Sequence, residues 1–446
     1  MANITRIRFA PSPTGEPHIG NIRTALFAWL LTRRNNGKFI LRIEDTDQAR
    51  TVPGAVEKII ESLKWLGIDW DEGPYHQSER LELYRSQVQL LIDKGAAYNF
   101  EDERGAAVKF TMPKDGSIKI KDSIRGEVTF DNSLIDDFII MKSDGFPTYH
   151  LASVVDDHLM GISQVIRAEE WLPSLPRHIC LYKAFDWEPP EFAHLPVILA
   201  SDRSKLSKRH GATALLEYQE MGYLPHALLN FLSLLGWSLD DKSELFTVED
   251  LVKLFTLERV SKSAAIFNPD KLDWMNGHYI RQMRPEELAD TLLDHWHKYP
   301  PPEINVQPDR ELLIRIVPLV QERLKTLSDA APLIPFFFTT DFNYEATELV
   351  QKKMDMEQTR LILNVSKNKL QNIDEFKATE LDSVLRTLAE DIDVKIGQLL
   401  GTLRVATSGL KVSPPIFESM EILGKDRILS DIDRAIKKLD SIPKNI

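Results

Sequence analysis

The first 45 residues combine two hydrophobic periods. Ile4 to Ala10 alternates apolar and polar side chains, with Ile7 and Phe9 on one face, which predicts a strand. A helix is predicted from about Gly20, because apolar residues recur along one helical face: Ile22, Ala25, Leu26, Trp29 and Leu30. Phe39 to Ile43 predicts a second strand. A strand, a helix and a strand at this spacing indicate a βαβ unit with a parallel sheet.

The rest of the chain divides by pattern. A helix around residues 81–94 and several short β segments predict a small α+β insertion within the sheet domain. Strands and helices alternate again up to about residue 200, and helices dominate from Thr213 onward. The run Pro300-Pro301-Pro302 indicates a stiff break and a domain boundary.

Two amphipathic stripes follow that break. They are Leu313, Ile316, Val317, Val320 and Leu324, and then Ile428, Leu429, Ile432, Ile436 and Leu439. We therefore expect an α/β domain over residues 1–212 with an insertion at about 81–150. A helical domain over 213–300 and an all-α region over 301–446 are expected to complete the chain.

Composition narrows the class of protein. Cys180 is the single cysteine, so neither an intramolecular disulfide nor a multi-cysteine zinc cluster is expected. No apolar run approaches the roughly 20 residues that span a bilayer, and no secretory signal is recognised. A cytoplasmic protein without a membrane partner is the expectation. The net charge of -12 argues weakly against nucleic acid, but phosphate binding depends on local basic patches.

Two local motifs suit a polyphosphate. His18 and Gly20 lie where a proline-bound loop enters the first helix, and the N–H groups of a helix N-terminus attract anions. The second motif is Lys205-Leu206-Ser207-Lys208-Arg209, in which two lysines can converge on one polyphosphate. Fixed cations would stabilise the charge that develops when pyrophosphate leaves ATP. Each motif alone could also be a surface feature without a ligand, such as a solvated basic loop.

Together the two motifs resemble the HIGH-like and KMSKS-like segments of the class I aminoacyl-tRNA synthetases. The surrounding segments look like those of bacterial glutamyl-tRNA synthetases. These segments are Arg8-Phe9-Ala10-Pro11-Ser12-Pro13-Thr14-Gly15, Arg42-Ile43-Glu44-Asp45-Thr46-Asp47, Asp71-Glu72-Gly73-Pro74, Tyr149-His150-Leu151, Val155-Asp156-Asp157-His158 and Ile166-Arg167-Ala168-Glu169-Glu170-Trp171. The resemblance covers about the first 280 residues closely. It implies a Rossmann-like catalytic domain followed by an all-α anticodon-binding region.

The resemblance also implies the site. ATP would be bound by His18, Gly20, Asn21, Lys205, Leu206, Ser207 and Lys208, with His18, Lys205 and Lys208 acting in catalysis. Glutamate would be bound by Arg8, Ala10, Ser12, Glu44, Tyr149, Ser153, Arg167 and Glu170.

Within that set, Arg8, Tyr149 and Ser153 would contact the side-chain carboxylate of glutamate, Glu44 the ammonium group, and Arg167 a carboxylate. Arginine has only donors, so the amide NH₂ of glutamine would be mismatched there. Taken alone, these residue types favour structural ion pairs instead, such as Arg8 with Glu44.

Three positions depart from the family pattern. Asn21 replaces the final histidine of the first motif, which is frequent in the glutamyl branch. Ser153 stands where several relatives have asparagine, so the shorter hydroxyl leaves its role open. The segment Tyr98 to Phe110 has no cysteine, so we expect no zinc where some relatives hold it.

The resemblance implies a two-step reaction. The α-carboxylate of glutamate attacks the α-phosphorus of ATP, and the adenylate then transfers glutamate to the terminal ribose of a tRNA. Mg²⁺ is expected with ATP, tRNA is expected to be needed for activation, and a monomer is expected. Arg323, near the end of its predicted helix, is the candidate for reading the third anticodon base.

Several alternatives remain open from the sequence. One is a catalytically inactive paralogue that binds RNA or protein, although His18, Lys205 and Lys208 argue against it. A nucleotidyltransferase for a small cofactor, or an enzyme that adds glutamate to a tRNA base, would lack the long helical region after Pro301. Whether tRNA-Glu, tRNA-Gln or both are charged is undecided by one sequence.

Overall fold

The computed structural model describes residues 4–103, 105–206, 214–340 and 342–441, in two compact units. The first unit takes in the described residues up to Gln219 and Tyr223–Met275, and the second takes in Glu220–Gly222 and the described residues from Asn276 onward. The strands are β1 (Arg6–Phe9), β2 (Lys38–Ile43), β3 (Glu72–His76), β4 (Ala97–Asp102), β5 (Gly105–Phe110), β6 (Ser117–Asp122), β7 (Gly126–Asp131), β8 (Phe138–Met141), β9 (Gln164–Ala168), β10 (Glu191–Leu195), β11 (Ile198–Leu199) and β12 (Ala265–Ile266).

The α-helices follow the same order along the chain. They are α1 (Ile19–Arg34), α2 (Ala55–Leu66), α3 (Leu81–Asp93), α4 (Tyr149–Leu159), α5 (Leu175–Ala184), α6 (Leu215–Glu220), α7 (Pro225–Ser233), α8 (Val248–Leu254), α9 (Pro269–Gln282), α10 (Pro285–Lys298), α11 (Arg310–Ile316), α12 (Met356–Gln371), α13 (Ala378–Asp391), α14 (Ile396–Ser408), α15 (Ile416–Leu423) and α16 (Lys425–Asp440). No helix among the described residues is both long and apolar enough to cross a membrane.

A seven-stranded sheet organises the first unit. Its order is β3-β2-β1-β9-β10-β6-β7, and every neighbouring pair is parallel except β6 with β7. Ile7 on β1 lies opposite Phe39 on β2, so the predicted βαβ unit and parallel sheet are confirmed. Parallel strands place their carboxyl ends on one edge, which is where α/β proteins usually bind ligands.

Helix α1 is more deeply buried than one amphipathic stripe would require. The predicted stripe is buried throughout, and Phe27, Ala28 and Leu31 on other faces are buried as well. The helix ends with Arg33 and Arg34 in its last turn, where positive charge complements the helix dipole. A helix covered on most sides is held rigidly, and it therefore fixes the loop at its N-terminus.

The segment predicted as an insertion divides between two sheets. Strands β4, β5 and β8 form a separate antiparallel sheet, whereas β6 and β7 extend the main sheet beside β10. Phe110 and Phe138 share one hydrophobic core with Val165 and Phe192 of the main sheet. Short polar-alternating strands carry no signal of which sheet they join, because pairing partners are chosen by tertiary packing.

The second unit is helical around its own core. Ile428, Ile432 and Leu439 of α16 are buried in that core, as the second amphipathic stripe predicts.

The first stripe was wrong in one respect, because α11 ends at Ile316 and short 3-10 turns continue the chain to Arg323. Pro318 has no N–H for the helical ladder, yet Val317, Val320 and Leu324 remain fully buried. Arg323 therefore lies in a 3-10 turn rather than near a helix end.

Candidate active site

Polar side chains gather at the carboxyl ends of the central parallel strands. Arg8 lies on β1, Glu44 follows β2, and Arg167 lies near the end of β9. Their exposed fractions are only 4%, 8% and 5%, respectively. Charged groups buried to this extent need partners, and the partners of the three groups differ.

His18 caps the N-terminus of α1. Its Nδ1 accepts a hydrogen bond of 3.1 Å from the backbone N–H of Gly20, so a neutral ring carries its proton on Nε2. A Cβ atom at Gly20 would lie 3.0 Å from Cε1 of His18, so a side chain there would displace the ring. The Nε2–H is thus left to donate to an anion at the helix N-terminus.

Lys205 lies beside this histidine. Its Nζ is 2.9 Å from Oε2 of Glu170. Partial burial lowers the pKa of His18, while the charge of Glu170 opposes this shift and that of Lys205 adds to it. His18 is therefore mainly neutral at pH 7, in the hydrogen-donating form described above. Lys205 and Glu170 are both exposed, and an exposed ion pair of this kind contributes only about 0–1 kcal/mol. A phosphate could therefore displace Glu170 from Lys205 at little cost.

The chain on either side of residues 207–213 lies close to the same cleft. Leu206 donates its N–H to the carbonyl of Ile198, on β11, at 3.3 Å. Beyond the gap, Ala214 bridges to His18, and Leu215 donates to the Pro17 carbonyl at 3.1 Å. The predicted ATP ligands Ser207 and Lys208 lie outside the described residues.

A compact ion-pair cluster joins β1 and β2 to α4. Arg8 Nε donates to Asp157 Oδ1 at 2.9 Å, and Arg42 donates to the same oxygen at 2.8 Å. Arg42 also donates to Glu44 Oε1 at 3.0 Å. Arg8 and Glu44 are therefore both in ion pairs, but Arg8 pairs with Asp157 and Glu44 pairs with Arg42 rather than with each other. Burial raises the pKa of Glu44 although Arg42 and Arg8 oppose it, so an added ammonium would stabilise its charged form.

Arg167 contacts no carboxylate among the described residues. Its NH1 donates to the Tyr149 hydroxyl at 3.0 Å and lies 3.3 Å from His178 Nδ1. Its Nε donates to His194 Nε2 at 2.9 Å, and its NH2 donates to the Trp171 carbonyl at 3.4 Å. These contacts orient a buried guanidinium with neutral groups.

Helix α4 lines the space between the two arginines. Tyr149, Ser153 and Asp157 are four residues apart, so they lie on one helical face. Tyr149 accepts from Arg167 and Asp157 accepts from Arg8, which places Ser153 between the two contacts. Ser153 is 1% exposed, and its Oγ has no hydrogen-bond partner among the described residues. A buried hydroxyl of this kind fits a pocket that water or a ligand completes.

The remaining predicted residues, Ala10, Ser12, Asn21 and Glu170, are placed by fewer contacts. Ala10 is half-buried just after β1, and Ser12 is exposed, with its carbonyl accepting from the Thr14 N–H at 2.9 Å. Asn21 donates its backbone N–H to the His18 carbonyl at 2.9 Å. Glu170 contacts Lys205, and its charge also acts on His18.

Sequence analysis missed five buried residues in the hydrogen-bond networks around the predicted arginines. Two of them, Arg42 and Asp157, stand inside the quoted motifs and could have been weighed there. The other three are His178 on α5, His194 on β10 and Asp122 on β6. They stand outside those motifs, and tertiary packing brings His178 and His194 to Arg167 and Asp122 to His194.

The parallel sheet, the histidine at a helix N-terminus and the nearby lysine together define an α/β enzyme of the nucleotide-binding class. Known families agree. The family described as "tRNA synthetases class I (E and Q), catalytic domain" matches residues 5–104 and 99–274, and "Anticodon binding domain" matches residues 287–436. The chain belongs to the class I tRNA synthetases of the E and Q branch.

Relatives that match over nearly their full length are described as glutamate–tRNA ligases. A "Glutamate--tRNA ligase" of Dehalococcoides mccartyi is 48% identical, with 99% of each chain covered. One of Moorella thermoacetica is 41% identical, with 98% of each chain covered. The crystal structure of a glutamate tRNA ligase from Elizabethkingia meningosepticum in complex with its amino acid matches with a TM-score of 0.85 and 32% identity. It covers 98% of this chain and 99% of that one.

Proposed function

We propose that this chain is a glutamate–tRNA ligase that activates L-glutamate with ATP and transfers it to the 3′ end of tRNA-Glu, tRNA-Gln or both. The observation that carries the proposal is that two groups of candidate binding residues lie in the same compact unit. His18 and Lys205 form a cleft for polyphosphate, and Arg8, Glu44 and Arg167 surround a pocket for an amino acid with two carboxylates. The match to glutamate–tRNA ligases over 99% of the chain supports the same reaction.

In the first step, the glutamate α-carboxylate attacks the α-phosphorus of ATP, and the bond to the pyrophosphate oxygen breaks. His18 Nε2–H and Lys205 donate hydrogen bonds to the phosphates, where negative charge builds on the leaving group. Lys208 is proposed to add a second cation. Mg²⁺ is proposed to enter with ATP, coordinated mainly by phosphate oxygens. The described residues contain no group of three His, Cys, Asp or Glu side chains that could hold a metal, and zinc is not part of the proposal.

Glutamate is oriented by charge in this proposal. Glu44 receives the ammonium group, Arg8 with Tyr149 and Ser153 receives the side-chain carboxylate, and Arg167 receives a carboxylate. Ala10, Ser12 and Glu170 border the pocket. In the second step the tRNA ribose hydroxyl attacks the carbonyl of the adenylate, and AMP leaves. No protein nucleophile is needed, because the protein positions the reactants and stabilises charge.

The domain roles are proposed as follows. Residues 1–212 bind the small substrates, the segment at about 81–150 contacts the tRNA acceptor end, and residues 213–300 contact the tRNA stem. Residues 301–446 bind the anticodon.

Arg323 is proposed to read its third base. The exposed Arg323 donates NH1 to the Ser413 carbonyl at 3.0 Å, and Arg404 donates to the same oxygen at 3.3 Å. Burial and the charge of Arg323 lower the pKa of Arg404, so this pair of cations favours an anionic or acceptor-rich partner. A monomer acting in the cytoplasm completes the proposal.

The test is glutamate-dependent ATP–pyrophosphate exchange and charging, with purified tRNA-Glu and tRNA-Gln in separate assays. Lys205→Gln is expected to reduce exchange by about 10² to 10³, the usual effect of losing one donor to developing charge. Lys271→Gln is the matched control, because Lys271 also forms a surface pair, with Glu244 at 2.6 Å, and should leave exchange unchanged. Folded wild-type protein without exchange on either tRNA would support the alternative of a catalytically inactive paralogue.

A further inference from the structure

The partners of Arg167 differ in kind from those of the buried Arg42. Among the described residues, the guanidinium contacts two imidazoles, one phenol and one backbone carbonyl, and no carboxylate. Buried arginines are normally paired with acids, as Arg42 is with Glu44 and Asp157. The absence of a direct counter-charge at Arg167 therefore calls for a physical explanation.

The hydrogen bonds determine which nitrogen of each imidazole carries the proton. Arg167 can only donate, so His194 Nε2 and His178 Nδ1 must both accept. His194 Nδ1 then donates to Asp122 Oδ2 at 2.6 Å, and His178 Nε2 donates to His150 Nδ1 at 3.1 Å. The nearest carboxylate in this network is therefore separated from Arg167 by a whole imidazole ring.

The surroundings keep both rings neutral. Burial lowers the pKa of His178 well below its usual value, and the charge of Arg167 lowers it further. Burial also lowers the pKa of His194, although the hydrogen bond to Asp122 opposes the shift. A protonated ring could not accept from Arg167, so neutral imidazoles and the observed contacts require each other.

We propose that His178 and His194 are positioning residues that hold the Arg167 guanidinium as neutral hydrogen-bond acceptors, leaving its positive charge available to a substrate carboxylate. A carboxylate in either place would orient the guanidinium equally well but would compete with the substrate for its charge. Neutral acceptors therefore orient the guanidinium of Arg167 without compensating its charge. The inference rests on the proposed role of Arg167 in binding glutamate.

The decisive experiment compares His178→Asp with His178→Asn. Both side chains place an oxygen near the former Nδ1 position, and both lose the contact with His150, so they differ mainly in charge. The glutamate KM and the ATP KM are measured by tRNA-dependent ATP–pyrophosphate exchange. His178→Asp is expected to raise the glutamate KM about tenfold or more above that of His178→Asn, because the new charge pairs with Arg167. The ATP KM should be the same in both variants.

Arg167→Gln separates this inference from the proposed function. If Arg167→Gln leaves the glutamate KM unchanged, the binding role of Arg167 fails and the inference fails with it. If Arg167→Gln raises the glutamate KM but the Asp and Asn variants at position 178 agree, only the inference is overturned.

A second measurement uses the wild-type protein, so it does not depend on whether a variant folds. Nitrogen-15 NMR of the histidine rings in the full-length protein should show Nε2 of His178 protonated and Nδ1 unprotonated at pH 7. The same spectrum should show His194 protonated on Nδ1 alone. An imidazolium at either position would overturn the proposal, even if His178→Asp failed to fold.

Discussion

Two sides of the candidate glutamate pocket solve the burial of arginine in opposite ways. On the β1–β2 side, Arg42 is completely buried and donates to Glu44 and Asp157. On the β9 side, Arg167 is 5% exposed and contacts only neutral groups among the described residues. We therefore expect Arg42 to contribute mainly to stability, and Arg167 to have its charge available to a ligand. The contrast predicts that substitutions on the two sides affect different measurements.

Replacement of Arg42 should give the largest effect, and it should appear in stability. Arg42→Met leaves Glu44 and Asp157 short of a partner inside the protein, which typically costs about 3–5 kcal/mol. Urea unfolding of the full-length chain measures the free energy of unfolding. Arg85→Met is the control, because the Arg85–Glu82 pair is exposed and should contribute less than about 1 kcal/mol. Equal losses in the two variants would contradict the distinction between buried and exposed pairs.

Replacement of Arg167 should appear in binding instead. Arg167→Gln removes the charge proposed for a substrate carboxylate, so the glutamate KM should rise about 10²-fold, which is about 2.7 kcal/mol. No carboxylate is left without its direct partner, and the free energy of unfolding should therefore fall by less than in Arg42→Met. If Arg167→Gln proved as destabilising as Arg42→Met, the two sides of the pocket would not differ as described.

The hydrogen bond between Tyr149 and Arg167 is a single contact on the β9 side that can be tested by itself. Tyr149→Phe removes the hydroxyl that accepts from Arg167 NH1, and hydrogen bonds to charged groups contribute about 1.5 kcal/mol or more. We therefore expect a glutamate KM about tenfold higher, with the ATP KM unchanged. Tyr75→Phe, at an exposed position on β3, serves as the control for loss of a phenol hydroxyl. A glutamate KM equal to that of the control would exclude this contact from binding.

The smallest effect concerns pH. Burial lowers the pKa of His150 to about 4, so the folded state favours the neutral ring. A group of this kind contributes stability above its unfolded pKa of about 6.5, and that stability is lost as the pH falls towards 4.

Between pH 7 and pH 6 the wild type should therefore lose about 0.7 kcal/mol more unfolding free energy than His150→Asn. Asp157 on the other side has a lowered pKa and should not titrate in this range. Parallel pH curves for the wild type and His150→Asn would show that this ring is not kept neutral by folding.

The sequence predicted those parts of the site whose residues lie near each other in the chain. His18 and Gly20 are two residues apart, and the helix that begins at Ile19 was predicted from its recurring apolar residues. Arg8, Glu44 and Arg167 were predicted as binding residues by resemblance, and the structure places them at neighbouring strands. Their assigned roles stay predictions, which the substitutions above test.

The sequence did not predict the contacts that distinguish the two arginines. Asp157 and Arg8 are 149 positions apart, and His194 and Asp122 are 72 apart. The failure at Val317 to Leu324 has a local cause, since an apolar stripe fits a 3-10 turn as well as a helix when Pro318 interrupts the ladder.

What the sequence determined by itself was local periodicity, and with it the βαβ unit, the helical second half and the position of the two motifs proposed to bind phosphate. What only the tertiary structure decided was charge compensation. Helix α4 brings Asp157 to Arg8 and Arg42, whereas helix α5 and strand β10 bring His178 and His194 to Arg167. Whether a buried arginine is neutralised depends on atoms within about 4 Å of it, and those atoms come from distant parts of the chain.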